Sequence, residues 1–134
     1  AMLPYATRQY REPAIELLSK VGMVDQADRA TAILAYGDLK RLELAIALAH
    51  DPRLLLMDEP TAGMAPRERI ELMQLTRDIV SEKGISALFT EHDMDVVFAH
   101  AHRVMVLNRG QLIAQVQEVY LGGGTLFNAE ASDA

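Results

Sequence analysis

The chain has 134 residues, no cysteine, and 13 basic against 19 acidic side chains for a net charge of −6. That length suits one domain or part of one; disulfide staples and thiol chemistry are excluded, and without a Lys/Arg-rich run no nucleic-acid partner is expected. Half of the residues are hydrophobic, yet no apolar run approaches the ~18 residues needed to cross a bilayer, no signal peptide is read at the N-terminus, and the cytoplasm is the expected compartment.

Residues 1–11 are mixed and polar, with Pro4 and two tyrosines, and read as a lead-in. A first helix is expected from Pro13, since proline in the first turn lacks only an N–H that would be unpaired there. Ala14, Ile15, Leu17, Leu18 and Val21 supply its apolar face, ending at Gly22. After the connector Asp25 to Ala32, Leu34-Ala35-Tyr36-Gly37-Asp38 feeds a second helix, Leu39 to about His50, with Asp38 as candidate N-cap. Leu39, Leu42, Ala45, Ile46 and Ala49 recur at helical spacing, and Asp51-Pro52 stops the run.

Leu54-Leu55-Leu56-Met57 is a continuous apolar run, expected as a strand covered on both faces. Pro66 opens a longer helix with Ile70, Leu72, Met73, Leu75, Ile79 and Val80 facing inward, closed by Gly84. Ile85 to Thr90 is the next strand, and the connection suits a parallel crossover rather than a hairpin. Both strands of a right-handed parallel unit end on the same edge of the sheet, which sets Asp58 and Glu59 beside His92. A short helix around Asp93 to Ala101 follows. Val104 to Leu107 and Gln111 to Ala114 then flank Asn108-Arg109-Gly110 as a β-hairpin. The sheet is expected to end there, with 122–134 a loose tail that begins with three glycines. The fold class is α/β.

Two adjacent carboxylates at the end of a dry strand, Asp58 and Glu59, are costly unless a cation or polar ligand sits there; the bland alternative is that both cap the Pro60 turn. His92 alone reads more readily as a solvated loop or helix-cap residue, but at the carboxylate edge it can donate to a phosphate oxygen. Gly37 before a helix N-terminus offers free N–H groups to an anion, as many inert helix starts do.

Taken in order, Leu34-Ala35-Tyr36-Gly37-Asp38, Leu54 to Pro60, and His92 resemble the signature motif, Walker B motif and switch histidine of ATP-binding cassette ATPases. The resemblance covers about Arg11 to Gln115. Tyr36 to Glu43, Gly63 to Pro66 and Thr90 to Met94 look most like the importers of branched-chain amino acids. The fold implied is a partial P-loop NTPase, RecA-like core with parallel strands, preceded by a helical signature subdomain. Its expected divisions are 1–50 helical, 51–115 catalytic half and 116–134 tail. The resemblance also implies ATP with Mg²⁺ in a complete site. Asp58 would belong to the metal site, Glu59 would be the general base and His92 would contact the γ-phosphate. Ala35, Tyr36, Gly37 and Asp38 would serve the nucleotide site of a second cassette subunit, and Gly63 to Ala65 match the loop communicating between the two.

The sequence departs from this pattern in three places. No Gly-x-x-x-x-Gly-Lys-Ser/Thr occurs, Gly122-Gly123-Gly124-Thr125 lacking the lysine, so the phosphate cradle is missing. Ala35 stands where serine is common, and Ala65 where aspartate or asparagine is usual. The expectation is therefore the C-terminal part of the ATP-hydrolysing subunit of an importer, inactive alone. Its partners would be a second cassette subunit and membrane permease subunits, at the inner face of the cell membrane. The alternative is a non-hydrolytic cassette fragment acting as a dimerisation or interaction module. Lack of the phosphate-loop strand would leave the edge of Ile85 to Thr90 unpaired, so self-association is expected there.

Overall fold

The computed structural model describes residues 8–121 and 124–131, with side chains as far as residue 116. Contacts divide the chain into two compact units, Ala1–His92 and Asp93–Ala134.

The first unit begins with α1 (Arg11–Lys20), which places Pro13 in its first turn as expected. Gly22 then takes the left-handed conformation at φ 70°. Helix α2 (Tyr36–Leu48) starts earlier than anticipated: Ala35 is the N-cap, and Asp38 lies in the first turn rather than capping it. Its buried stripe is Leu44, Ala45 and Leu48, while Ile46 is 57% exposed, so the inward face is rotated from the one read in the sequence. The reason is that Leu44 and Leu48 stack one turn apart, and burying the larger leucines wins over burying Ala49.

Strand β1 (Leu54–Asp58) pairs in parallel with β2 (Ser86–Thr90), in the register Leu54 with Ser86, Leu56 with Leu88 and Asp58 with Thr90. Between them runs α3 (Pro66–Lys83), ended by Gly84 at φ 63° as a left-handed C-cap. The α3 face buries Leu72, Met73, Thr76 and Ile79; Ile70, expected inward, is exposed because it lies across the helix from that stripe. Thr76 satisfies its buried hydroxyl by donating to the Leu72 carbonyl. Val21, Met23, Leu44, Ala45, Leu48, Leu55 and Ile79 form the core between α2, α3 and one side of the strand pair.

The expectation that β1 is covered on both faces fails among the described residues. Leu55 is buried, but Leu54 and Leu56 are 49% and 71% exposed, and Leu88 on the same face is 49% exposed. A parallel strand reads as a continuous apolar run because both faces are meant to be covered. Here the described residues supply cover for one.

The second unit begins with α4 (Met94–His100), capped by Asp93 Oδ1, which accepts from the Asp95 and Val96 N–H groups. The expected hairpin is present: β3 (Arg103–Asn108) pairs antiparallel with β4 (Gln111–Leu121). Arg109 and Gly110 carry φ values of 48° and 79°, the positive pair that a two-residue hairpin turn matching strand twist requires. The sheet does not end at Ala114, however. Strand β4 continues to Leu121 and pairs with β5 (Gly124–Ala131), where the sequence suggested a loose tail. A glycine cluster marks a hairpin connection as readily as a tail, and composition alone does not separate them. Residues 122–123 and 132–134 of that expected tail lie outside the described ones.

Candidate functional site

The C-terminal rim of the strand pair is built by one short turn and one short tripeptide. Parallel pairing brings Asp58 opposite Thr90, so the chain leaves β1 through Glu59-Pro60-Thr61 just where it leaves β2 through Glu91-His92. Each residue of Thr90-Glu91-His92 then contacts the turn. The Thr90 hydroxyl donates to Asp58 Oδ1 at 2.5 Å and accepts from the Glu59 N–H at 3.0 Å, which also donates to the Thr90 carbonyl at 3.1 Å. Glu91 Oε1 accepts from both the N–H of Thr61, at 3.0 Å, and its hydroxyl. His92 Nδ1 lies 3.6 Å from Glu59 Oε1, with their side chains 74% and 53% exposed. Such an exposed pair contributes little to stability and leaves both groups accessible.

Glu59 adopts φ 44°, left-handed backbone that an L-residue with a long side chain enters at a cost of about 1–2 kcal/mol. The two bonds from its N–H to Thr90 hold it there. Asp58, Glu59 and His92 thus share one rim, as the crossover argument required.

Ala35, Tyr36, Gly37 and Asp38 lie at the N-terminus of α2, and they meet the same turn from its far end. The Tyr36 hydroxyl donates to the Ala62 carbonyl at 3.1 Å. Its ring lies so close to Gly63, at φ 75°, that a Cβ there would stand 3.6 Å from it. Lys40 Nζ sits 5.5 Å from the Tyr36 ring centroid and donates to Glu43 at 2.9 Å; that bond raises the lysine above its ordinary pKa. At Gly37 the approach is close: a Cβ would come within 3.3 Å of the Glu68 carboxylate, which would have to give by a few tenths of an ångström. Glu68 also accepts from the Ala65 N–H at 3.1 Å, half of a capping box whose other half the alanine cannot supply.

Both family departures therefore fall on helix N-caps, Ala35 for α2 and Ala65 for α3. Thr61, Thr90 and Glu91 are the site residues that sequence reasoning missed. Their signal was position: Thr61 follows Pro60, and Thr90 and Glu91 open the Thr90 to Met94 string. Beside the rim, a trough of about 430 Å³ runs along β1 to Asp58, walled by Lys40, Glu43 and Leu44 of α2 and by Leu72 and Thr76 of α3.

Among the described residues no group of three or more His, Asp or Glu side chains could hold a metal ion by itself. Asp58 offers one carboxylate, of which Oδ1 is engaged by Thr90. That suits Mg²⁺ carried on a nucleotide, which takes one or two carboxylates together with phosphate oxygens and waters.

A parallel strand pair joined by a helix, with acids and a histidine on its C-terminal rim, is an α/β crossover unit, and its superposition on solved ATP-binding cassettes gives it the P-loop NTPase fold. Comparison with known proteins places it more narrowly. The ABC transporter family model matches residues 5–62. The chain is 36% identical over 107 residues to BraF of Pseudomonas aeruginosa, a high-affinity branched-chain amino acid transport ATP-binding protein, covering 80% of this chain and 42% of that one. It is 37% identical over 97 residues to its Escherichia coli counterpart LivG, covering 72% and 38%. Among solved structures, cbiO1 of Clostridium perfringens, part of the ABC transporter complex cbiONQ, superposes with a TM-score of 0.75 at 32% identity, over 85% of this chain and 45% of that one. The ADP conformation of the cassette MJ1267 gives 0.76 at 29% identity, over 81% and 42%. The chain belongs to the ATP-binding cassette family of ABC transporters, and spans about two fifths of the length of these curated relatives.

Proposed function

We propose that this chain carries the signature, Walker B and switch elements of the ATP-hydrolysing subunit of an importer for branched-chain amino acids. The observation that carries the reading is the convergence of Asp58, Glu59 and His92 on one rim, with Glu59 and His92 side chains both open to solvent. The solute class rests on likeness to BraF and LivG, whose names give that class.

In this reading Asp58 would hold Mg²⁺ brought with the nucleotide, and the Thr90 hydroxyl, bonded to Oδ1, would fix the rotamer that leaves the other carboxylate oxygen for it. Bound MgATP supplies the transferable phosphoryl group and the charge that the metal neutralises. Glu59 is the general base for the attacking water, held in reach by its left-handed backbone. His92 donates to the γ-phosphate and, across 3.6 Å, orients Glu59. Ala35, Tyr36, Gly37 and Asp38 face the nucleotide of a second cassette subunit, and Tyr36 reports that contact to the turn after Glu59 through Ala62. The partners are that second cassette and membrane permease subunits, at the cytoplasmic face.

A second reading, a cassette-derived dimerisation module without hydrolysis, is favoured by the open face of Leu54, Leu56 and Leu88 among the described residues. Mg-ATP binding and phosphate release separate the two. The chain alone is expected to show neither above background at millimolar nucleotide. Mixed with a segment supplying the phosphate loop and its strand, it hydrolyses ATP under the first reading and stays silent under the second.

A further inference from the structure

Thr61 is 2% exposed, the most buried polar residue among the described ones, and it spends both its hydroxyl and its backbone N–H on one carboxylate oxygen. That carboxylate is Glu91, which no step of the proposed hydrolysis uses. Two donors on one oxygen, one of them buried, make a charge-assisted clamp between the turn after β1 and the segment after β2. The clamp also bears on Glu59. The Thr61 carbonyl accepts from the Met64 N–H and the Glu59 carbonyl from the Ala62 N–H, so the whole turn from 59 to 64 is one hydrogen-bonded unit. Thr90 grips that unit at Glu59 and Glu91 grips it at Thr61. With only the first grip, the turn can pivot about the Glu59 amide and relax out of left-handed backbone.

We propose that Glu91 is a positioning residue: its clamp on Thr61 locks the acid-bearing turn to the histidine-bearing segment and keeps Glu59 in the backbone conformation that faces His92. The proposal rests on the catalytic reading of Glu59, but its test needs no nucleotide and so can fail independently of that reading.

The test is NMR on the full chain, comparing the parent with Glu91→Gln, Thr61→Val and Thr61→Ser. Left-handed backbone brings a residue's own N–H and Hα close together, so Glu59 carries a strong intraresidue N–H to Hα Overhauser effect. In Thr61→Val and Glu91→Gln that effect weakens and the Glu59 and Thr61 amides exchange about tenfold faster, while core amides of α3 around Leu72 keep their rates. Thr61→Ser, which keeps both donors, retains the parent signature. A merely structural role would move all amides together and leave the Glu59 effect strong. Unchanged Glu59 signals in Thr61→Val and Glu91→Gln, or loss of the signature in Thr61→Ser, overturn the proposal. If Thr61→Val fails to fold, Glu91→Gln decides, because its side chain keeps an acceptor oxygen and nearly the parent shape while losing the charge.

Discussion

Thr90 and Asp58 face each other across the parallel pair, and the threonine hydroxyl both donates to Asp58 Oδ1 and accepts the Glu59 amide. One hydroxyl thereby orients the carboxylate assigned to the metal and anchors the strained residue assigned as base. Thr90→Val removes it while keeping the branched shape. The expected loss is about 1–3 kcal/mol of unfolding free energy, since a donor to a charged group goes and the Glu59 amide keeps only the carbonyl. Urea denaturation measures it, and Thr90→Ser should recover most of the loss; equal stability of the three proteins would refute this role.

Removing the carboxylate of Glu59 tests the chemistry directly. In a site completed with a phosphate-loop segment, Glu59→Gln should lower turnover by roughly 10²–10⁴-fold, the range of general-base catalysis, while leaving nucleotide affinity nearly unchanged. Phosphate release and equilibrium nucleotide binding are the two measurements. Turnover close to the parent's would take the base assignment away from Glu59.

Ala35 and Ala65 sit at the N-caps of α2 and α3 with extended backbone and no side-chain acceptor. Ala35→Ser and Ala65→Asp should each raise stability by about 0.5–2 kcal/mol, because each gives a free helix N–H a partner. Ala65→Asp also places a carboxylate at the N-cap of α3 near Glu68, and repulsion between the two acids, least screened at low salt, should make its gain the smaller there. Thermal melts at two ionic strengths check both claims, and a lowered midpoint in Ala35→Ser would count against the capping account.

The open face of the parallel pair predicts association. Leu56, 71% exposed, stands between Leu54 and the register partner Leu88. The parent chain should self-associate at micromolar concentration in light scattering, and Leu56→Lys should shift it toward monomer without lowering its melting temperature. A parent that is monomeric throughout the range would sink the prediction.

The crossover and the rim it creates were legible in the sequence because they follow from periodicity and handedness: a strand, a helix opened by Pro66 and closed by Gly84, and a second strand must end on one edge. The hairpin at Arg109-Gly110 was legible for the same local reasons. What was not legible was decided by partners far along the chain. The rotation of the α2 stripe toward Leu44 and Leu48 depends on what α3 and β1 offer to pack against. Gly37 read as a glycine offering N–H groups to an anion, and the sequence held no sign that the Glu68 carboxylate of α3 lies close against it. Thr61 carried no motif of its own, Thr90 and Glu91 lay in the Thr90 to Met94 string without a role, and the importance of all three follows only from which atoms they reach. Strand β5 was hidden because composition near 122–134 suits a tail equally well.

Glu59 occupies backbone that glycine would enter freely. Replacing it with glycine should therefore relieve strain in the very step that deletes the carboxylate proposed as the base. Laboratory selection for heat resistance alone would push this position toward an inert protein, and a useful screen has to score turnover alongside survival.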